Sequence, residues 1–179
     1  MPLLPDTFPV LSTNRLNLVE LNNDHQQDLF NLMTEPQVTK FYPVISLKQP
    51  SDLQPVIGKF AKQFTEKQGI RWGIQLKDSN HLIGTIGFQT LAPGHRGSLL
   101  FALSPTHWNQ GLTSEAVKEV IDYGFSQLNL IRIEAEVLPG NYISEKLLRN
   151  AGFRQEGLLQ KWLYWNEQYH DVNMYALVQ

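Results

Sequence analysis

The sequence predicts a single α/β (α+β) domain across residues 1–179, with a mixed and mostly antiparallel sheet and helices on both of its faces. Two pairs of neighbouring segments alternate apolar and polar residues, as the two strands of a hairpin do. In the middle of the chain an apolar strand, an amphipathic helix and an alternating strand follow one another, and such a crossover makes its two strands parallel. The seven predicted strands cover residues 15–21, 71–77, 81–89, 98–103, 131–137, 153–164 and 169–178.

The first part of the chain is predicted to form one strand and two helices. Leu16 and Leu18 alternate with polar residues, which is typical of a half-buried strand. The polar residues at 22–24 can cap a helix over about residues 25–33. Three prolines then predict a loop region, and a second apolar stripe predicts a helix at 53–68.

The crossover helix is predicted at residues 114–127, because its apolar residues recur at helical spacing while charged residues take the other side. The strand after it alternates apolar residues, directed inward, with charged residues, directed outward. Asn141 is expected to cap a short helix that ends near Asn150, where Gly152 stops it. The last hairpin then completes the sheet.

Composition places the chain among ordinary globular proteins and excludes several classes of function. Apolar residues make up 42%, charged residues 18%, and the net charge is −2, so nothing indicates binding to nucleic acid or to an anionic membrane surface. The absence of cysteine excludes disulfides, cysteine-ligated metals and a thiol nucleophile. No apolar run suits a membrane helix and the N-terminus lacks the pattern of a signal peptide, so we expect a soluble, cytoplasmic protein.

Residues 104–113 form a turn, with Pro105 and Gly111, that connects a buried strand to the crossover helix. A loop in this position directs several free backbone N–H groups, together with the positive end of the helix dipole, toward one point. The loop therefore predicts a phosphate-binding site, although a plain strand-to-helix connection has the same pattern. The glycine-rich motifs of P-loop and dinucleotide-binding proteins are absent.

Four segments of the chain carry a resemblance to a known family. They are TNRLNL near the start, LSPTHWNQGLTSEA around the loop, RIEAEVLPGNYISEKLLRNAGF after the crossover helix, and EQYHDVNMYAL near the end. In this order they resemble the GNAT N-acetyltransferase superfamily, in the branch of the ribosomal-protein N-terminal serine and alanine acetyltransferases. The resemblance covers about residues 13–178 and implies the GNAT fold, whose sheet is splayed between strands 4 and 5.

The resemblance also implies that acetyl-CoA is the co-substrate, that no metal takes part, and that acetyl is transferred to a primary amine. In the family the loop holds the pyrophosphate. Thr113 stands where the family usually has glycine or alanine, yet we expect binding to survive, and Leu148 stands where a tyrosine acid is frequent. The residues implied for cofactor binding are Leu103, Trp108, Asn109, Gln110, Gly111, Leu112, Thr113, Ser114 and Asn141.

Ser144 and Glu136 are the catalytic residues that the resemblance implies. Ser144 matches the Asn-x-x-Ser pattern that begins at Asn141, and its hydroxyl can donate a hydrogen bond to the departing thiolate, although serine is also ordinary in a first helical turn. Glu136 is placed like the catalytic glutamate of some ribosomal N-terminal acetyltransferases, and a solvated strand glutamate is the alternative. His107 is a weaker candidate for a base, and Asp171 is expected to order the last hairpin.

The sequence leaves the acceptor of the acetyl group open. An α-amine has a pKa of about 7.7–8.0, against about 10.4 for a lysine, so a protein N-terminus needs a weaker base. A small amine, such as a polyamine, an amino acid or an aminoglycoside, is the alternative, and a non-catalytic acyl-CoA-binding module is a third reading. A homodimer is also considered. Aromatic residues that could line the acceptor site, or belong to the core instead, are Tyr42, Trp72, Trp162, Tyr164 and Trp165.

Overall fold

The computed structural model describes residues 4–43, 46–92 and 94–179 and contains one open sheet of eight strands. The strand order is β1-β2-β3-β4-β5-β6-β8-β7, and every neighbouring pair is antiparallel except β5 and β6, which are parallel. The strands are β1 (Leu11–Ser12), β2 (Leu16–Glu20), β3 (Ile70–Leu76), β4 (Leu82–Ala92), β5 (Arg96–Leu103), β6 (Arg132–Val137), β7 (Arg154–Trp165) and β8 (Gln168–Val178). The helices are α1 (Gln26–Thr34), α2 (Pro36–Thr39), α3 (Gln54–Thr65), α4 (Leu112–Ser126) and α5 (Tyr142–Asn150).

The predicted fold class is confirmed, with one strand more than the seven expected. Each of the seven predicted strands overlaps an observed strand. The additional strand, β1, has only two residues, which pair with Asn17 and Leu18 of β2. Two residues are too few to show an alternating pattern, so the sequence could not reveal this strand.

The structure contains one helix that the sequence did not predict, and one predicted helix start is wrong. The predicted loop around Pro36 contains α2, because Pro36 begins this helix and the Glu35 carboxylate accepts a hydrogen bond from the Gln37 N–H at 3.3 Å. Helix α4 begins at Leu112 rather than at residue 114, so Thr113 belongs to the helix and not to the turn before it. None of the described helices is both long and apolar enough to cross a membrane.

Helices cover both faces of the sheet, as predicted. One face, here named the α4–α5 face, packs Trp72, Phe88 and Ile133 against those two helices in the main hydrophobic core. The opposite face, here named the α1–α3 face, packs Leu21 and Leu82 against α1 and α3. Because neighbouring residues of a strand point to opposite faces, this division also decides where each strand directs its polar side chains.

The sheet is splayed between β5 and β6, which are the fourth and fifth of the seven predicted strands. Over the described parts of the chain these two strands pair at three positions, the last of them Ser98 with Glu134. Beyond that pair, β5 stays paired with β4 as far as Leu103, and β6 stays paired with β8 as far as Val137. The two parallel strands therefore separate at their carboxyl ends and leave a gap between them.

Candidate active site

A cavity of about 760 Å³ lies at the carboxyl end of β5, where this strand no longer pairs with β6. It is bordered by the end of β5, the loop after it, the first turn of α4, the start of α5, and the segment from α2 to Tyr42. Gln110 and Glu136, which the sequence also proposed, are not among the residues that line it. The predicted site residues that do line it are Leu103, Trp108, Asn109, Gly111, Leu112, Thr113, Ser114, Asn141 and Ser144.

The N-terminus of α4 presents free backbone donors to this cavity. The first intrahelical hydrogen bond runs from the Glu115 N–H to the Gly111 carbonyl at 3.1 Å, so the N–H groups of residues 112–114 have no partner within the helix. Gly111, directly before the helix, has a φ of 75°, a conformation that glycine adopts without strain. Three N–H groups and the positive end of the helix dipole thus meet at one wall of the cavity, which suits a phosphate group.

Thr113 contributes to this wall through its backbone. Because α4 begins at Leu112, the Thr113 N–H is one of the three free donors, and any residue other than proline would leave that donor in place. The Thr113 side chain is half-buried and lines the cavity beside Ser114. The departure from the family pattern at Thr113 therefore changes a side chain beside the candidate phosphate site and leaves the backbone donors unchanged.

A cluster around Glu115, here named the Glu115 latch, ties this loop to the N-terminal segment of the chain. The Glu115 Oε1 atom accepts hydrogen bonds from Thr13 Oγ1 at 2.6 Å and from the Arg15 N–H at 2.7 Å, and Oε2 accepts one from Arg15 Nε at 2.7 Å. Arg15 Nη1 also donates to the Gln110 carbonyl in the loop, at 2.9 Å. The latch therefore fixes the loop and the first turn of α4 to the same arginine.

The electrostatics of the latch favour an ionised Glu115. Burial of the carboxyl group raises its pKa, but the hydrogen bonds from Thr13 and Arg15 and the charge of Arg15 outweigh this effect, so the pKa of Glu115 is lowered. Sequence reasoning missed the latch, because Thr13 and Glu115 lie about a hundred residues apart and only the local TNRL pattern hinted at a role for this arginine.

The splayed part of β5 directs backbone groups into the gap. The His95 carbonyl, just before β5, accepts a hydrogen bond from the Ile131 N–H on the β6 side at 2.9 Å, whereas the Ser104 N–H donates to Ile83 on the β4 side at 2.8 Å. Successive residues of a strand direct their N–H and carbonyl groups to alternate sides. Odd-numbered residues of β5, such as Phe101, therefore direct these groups toward the gap. Polar backbone groups are therefore available where an elongated ligand can lie between the strands.

Trp108 closes the end of β5. Its Nε1–H donates a hydrogen bond to the Leu103 carbonyl at 2.7 Å, and its ring packs against the partly apolar wall formed by Val38 and Tyr42. Pro105 follows β5 and begins a short 3₁₀ turn, since it has no N–H with which to extend the ladder. Trp108 thus links the strand end, the loop and the segment after α2.

Asn141 and Ser144 lie at the start of α5, on the other side of the gap. The Asn141 side-chain carbonyl accepts a hydrogen bond from the Ser144 N–H at 3.3 Å and caps the helix, as predicted. The Ser144 side chain is half-buried at the cavity wall. Leu148, one turn further along α5, is fully buried in the core, so this position cannot present an acid to the cavity.

Glu136 lies on the α1–α3 face of β6. Its neighbours Ala135 and Val137 are buried in the core of the α4–α5 face, so the Glu136 side chain points the other way, where it is half-buried. Glu134, on the same face, is buried and bound to Arg96 at 3.1 Å and Arg132 at 3.0 Å. Glu136 therefore stays a predicted catalytic residue, placed beside the gap and not at the cavity wall.

The cavity wall carries basic side chains and, among the described residues, no carboxylate. Among the described residues, the lining includes Lys40, His107 and Lys146 but no aspartate or glutamate. His107 Nδ1 is 2.9 Å from Thr106 Oγ1, in the turn that follows β5. Free N–H donors and the basic residues Lys40 and Lys146 suit a polyanionic ligand such as a diphosphate.

The aromatic residues considered for the acceptor site lie in different parts of the structure. Tyr42 lines the cavity, and Trp72 is fully buried in the core. Trp162 and Tyr164 are more than half exposed on the last hairpin and do not line the cavity. Asp171 Oδ1 accepts a hydrogen bond from the Lys161 N–H of β7 at 2.8 Å, a contact that joins the two strands of the hairpin it is expected to order.

Comparison with known proteins identifies the family. The sequence profile of the family described as “Acetyltransferase (GNAT) domain” matches residues 15–154. The chain belongs to the GNAT acetyltransferase family. Among curated relatives, the uncharacterized N-acetyltransferase YoaA of Bacillus subtilis is 38% identical over 173 residues, which cover 96% of this chain and 98% of YoaA. The uncharacterized N-acetyltransferase p20 of Bacillus licheniformis is 35% identical over 170 residues, covering 94% of this chain and 96% of p20.

A solved GNAT structure gives the same picture of the fold. RimL, described as a ribosomal L7/L12 alpha-N-protein acetyltransferase in complex with coenzyme A, superposes with a TM-score of 0.83 at 18% identity, covering 95% of this chain and 98% of RimL. The resemblance inferred from the four sequence segments is therefore confirmed at the level of the family and the fold. This GNAT chain is an acetyl-CoA-dependent N-acetyltransferase.

Proposed function

We propose that this acetyltransferase acts on an α-amine, of the kind found at a protein N-terminus. The observation that carries the proposal is that no carboxylate of the described residues lines the cavity. Freeing a lysine amine of its proton at pH 7 costs about 4–5 kcal/mol, whereas an α-amine costs only about 1 kcal/mol. A site without a carboxylate in direct contact suits the more weakly basic amine.

The chain's own groups would bind and orient the acetyl donor. The free N–H groups of residues 112–114 would hold the diphosphate, with Lys146 adding positive charge nearby. Asn141, whose carbonyl caps α5, retains its amide N–H donors for the pantetheine arm. The backbone of Phe101 faces the gap and would lie along that arm.

Acetyl-CoA supplies an activated thioester, so the protein needs to position groups around it and need not form a covalent bond to the acetyl group. The Ser144 hydroxyl would donate a hydrogen bond to the sulfur as it becomes a thiolate. Glu136, on the face opposite α4 and α5, would receive the proton of the amine through a water. Each of these roles is part of the proposal.

One comparison supports the α-amine over the alternatives. RimL, whose fold this chain shares, is described as an alpha-N-protein acetyltransferase. The segment from α2 to Tyr42 also lines the cavity and would border the acceptor if the donor is bound against α4 and α5. A small amine is the second candidate, since the same part of the cavity would accommodate it. Membership of a catalytic family disfavours a purely non-catalytic acyl-CoA module.

The test is a comparison of matched acceptors. Peptides of one sequence would be offered with a free N-terminus and one internal lysine, with a blocked N-terminus and the same lysine, and with a free N-terminus and no lysine. Release of free CoA gives the rate, and mass spectrometry gives the modified position. We expect both peptides with a free N-terminus to react at equal rates; turnover only on lysine or only on polyamines would contradict the proposal.

A further inference from the structure

Helix α5, which brings Ser144 to the cavity, is attached to the sheet by few buried side chains. All nine of its residues belong to the described part of the chain, and only Glu145 and Leu148 are buried. Leu148 packs in the main core, whereas Glu145 is a carboxylate with 7% of its surface exposed. A buried carboxylate is costly unless its oxygens are hydrogen-bonded. One of the two buried contacts of this helix therefore depends on the partners that a charged group finds.

A closed ring of hydrogen bonds, here named the Glu145 network, connects α5 to β7 and β8. Glu145 Oε1 accepts a hydrogen bond from Asn173 Nδ2 at 3.1 Å, and Oε2 accepts one from Arg149 Nη2 at 3.4 Å. The same Arg149 nitrogen donates to Tyr175 Oη at 2.7 Å, and Tyr175 donates to Gln155 Oε1 at 3.3 Å. Gln155 Nε2 donates to Asn173 Oδ1 at 3.0 Å, which closes the ring. Each side chain of the ring therefore contacts two others.

The network holds one side of α5 while another side of the helix lines the cavity. Glu145 and Arg149 lie one turn apart and both contact β8, and neither lines the cavity. Ile143, Ser144 and Leu147 do line it. Consecutive residues of a helix are separated by about 100° around its axis, so the direction of Glu145 determines that of Ser144. A rotation of α5 by about 15° would move a side-chain atom roughly 4 Å from the axis by about 1 Å.

The residues of β8 that take part in the network lie beside the splayed part of the sheet. Asn173 pairs with Val137, the last residue of β6, and Tyr175 pairs with Ala135. Both of these β6 residues follow Glu134, which is in the last pair that β6 forms with β5. The network therefore attaches α5 to the part of β8 that lies beyond the paired region of β5 and β6.

We infer that Glu145 is a positioning residue, which fixes the rotation of α5 through its bonds to β8 and thereby directs the Ser144 hydroxyl toward the sulfur of the acetyl donor. Replacing a buried ionic group with an apolar one is often neutral for stability or improves it, so apolar packing could hold this helix as firmly. Apolar contacts have no preferred direction, whereas hydrogen bonds require particular angles, and the network therefore supplies an orientation that apolar packing would not. This inference rests on the proposed function, because it depends on the role proposed there for Ser144.

Substitutions at Glu145 test this role through kcat, measured with whichever amine is acetylated. Glu145→Leu removes both acceptor oxygens and should lower kcat by about 10- to 30-fold, with the KM for acetyl-CoA within about 3-fold, because the diphosphate donors belong to α4. Glu145→Gln keeps an oxygen for Asn173 and should recover most of kcat. Ile74→Val and Ile74→Ala, in the core of β3 and separated from β6 by two strands, are controls for a loss of stability alone and should leave kcat unchanged. A wild-type kcat in Glu145→Leu would overturn the inference.

A double-mutant cycle with Ser144 separates positioning from a purely structural role. In the Ser144→Ala background no hydroxyl remains to be positioned, so Glu145→Leu should lower kcat there by less than about 2-fold. A structural defect would lower kcat equally in both backgrounds, and that result would show that Glu145 does not act through Ser144. An unchanged kcat in Ser144→Ala itself would also overturn the inference, since Glu145 would then have no reacting group to position.

The ionisation of bound CoA gives a second measurement, which needs no amine acceptor. The chain contains no cysteine, so the thiol of CoA is the only thiol in the complex, and the ultraviolet absorbance of its thiolate reports its pKa. A hydrogen bond from Ser144 stabilises the thiolate, so we expect this pKa to rise in Ser144→Ala and in Glu145→Leu, and to rise no further in the double variant. Lys40, His107 and Lys146 at the cavity wall are present in every variant and do not alter the comparison.

These measurements distinguish a failure of this inference from a failure of the proposed function. If peptides with a free N-terminus are not acetylated but the pKa of bound CoA changes as expected, the proposed acceptor is wrong and the role of Glu145 stands. If such peptides are acetylated but the pKa of bound CoA is the same in wild type and in all three variants, the role of Glu145 is wrong and the proposed acceptor stands.

Discussion

The Glu115 latch allows a prediction whose size follows from its geometry. In Glu115→Gln the remaining Oε1 atom can still accept from Thr13 Oγ1 and the Arg15 N–H, because both donate to that one oxygen. The new amide nitrogen replaces Oε2 and faces Arg15 Nε, so one charge-assisted hydrogen bond is lost and two donors oppose each other. Arg15 is almost half exposed, so solvent screening reduces this loss to about 1–2 kcal/mol of unfolding free energy.

The same substitution should weaken binding of acetyl-CoA. Arg15 Nη1 also holds the Gln110 carbonyl, so an arginine released from Glu115 no longer fixes the loop before α4. We expect the Kd for acetyl-CoA, measured by calorimetry, to rise by about 3- to 10-fold, as the loop has to be ordered on binding. Glu115→Ala removes all three hydrogen bonds and should cost about 3–4 kcal/mol of unfolding free energy.

The Glu115 latch predicts a specific pH dependence of the free energy of unfolding. The pKa of Glu115 is lowered in the folded chain, so its carboxylate stabilises the fold above its ordinary pKa of about 4.3, and this contribution disappears as the pH falls through the lower folded value. Urea unfolding at pH 7 should therefore separate wild type from Glu115→Gln, and the difference should shrink as the pH is lowered below about 4.

The matched control is Glu119→Gln, one turn further along α4, where the carboxylate takes part in none of the hydrogen bonds or ion pairs of the described residues. We expect it to stay within about 0.5 kcal/mol of wild type at pH 7. If Glu115→Gln matched Glu119→Gln in both stability and Kd for acetyl-CoA, the latch would not hold the loop and the reasoning would be refuted.

Three further substitutions test the proposed site. Ser144→Ala should lower kcat by about 100-fold with little change in the KM for acetyl-CoA, in steady-state assays; an unchanged kcat would remove Ser144 from the chemistry. Glu136→Gln should lower kcat/KM for the amine by about 10- to 100-fold at pH 7, an effect that shrinks at higher pH where the free amine is abundant, and a pH-independent loss would argue against a base. Thr113→Gly should preserve or tighten acetyl-CoA binding by calorimetry, and loss of binding in a folded variant would show that the donor wall is wrongly described.

The strands and the family could be predicted from the sequence because their signals are local. The alternation around Ile133 and the hairpin turns predicted the seven main strands, and helix-capping preference predicted the cap at Asn141. The four motif segments implied the family and the splay of the sheet. The sequence signal for each of these features lies within about 25 consecutive residues. Element ends were less certain, as the early start of α4 at Leu112 illustrates.

The remaining features depend on contacts between distant residues. Nothing near Glu115 in the sequence indicates that it meets Thr13 and Arg15, and nothing near Glu145 indicates that it bonds to Asn173. Helix α2 was missed because its proline is also typical of a loop, and only the capping contact decides between the two. The missing information in each case is which strands and helices become neighbours.

The short pairing between β5 and β6 has a consequence for how the sheet responds to ligands. In the part of the chain that the structure describes, three residue pairs join a half made of β1–β5 to a half made of β6–β8, so few backbone hydrogen bonds resist a change in the angle between these halves. A ligand that forms hydrogen bonds to both β5 and β6 would stiffen the sheet at the position where its own backbone hydrogen bonds are fewest. Amide hydrogen exchange in residues 99–103 and 135–137 should therefore slow more on saturation with acetyl-CoA than exchange in the centre of β3 or β4. Bound acetyl-CoA would therefore contribute part of the rigidity of the sheet.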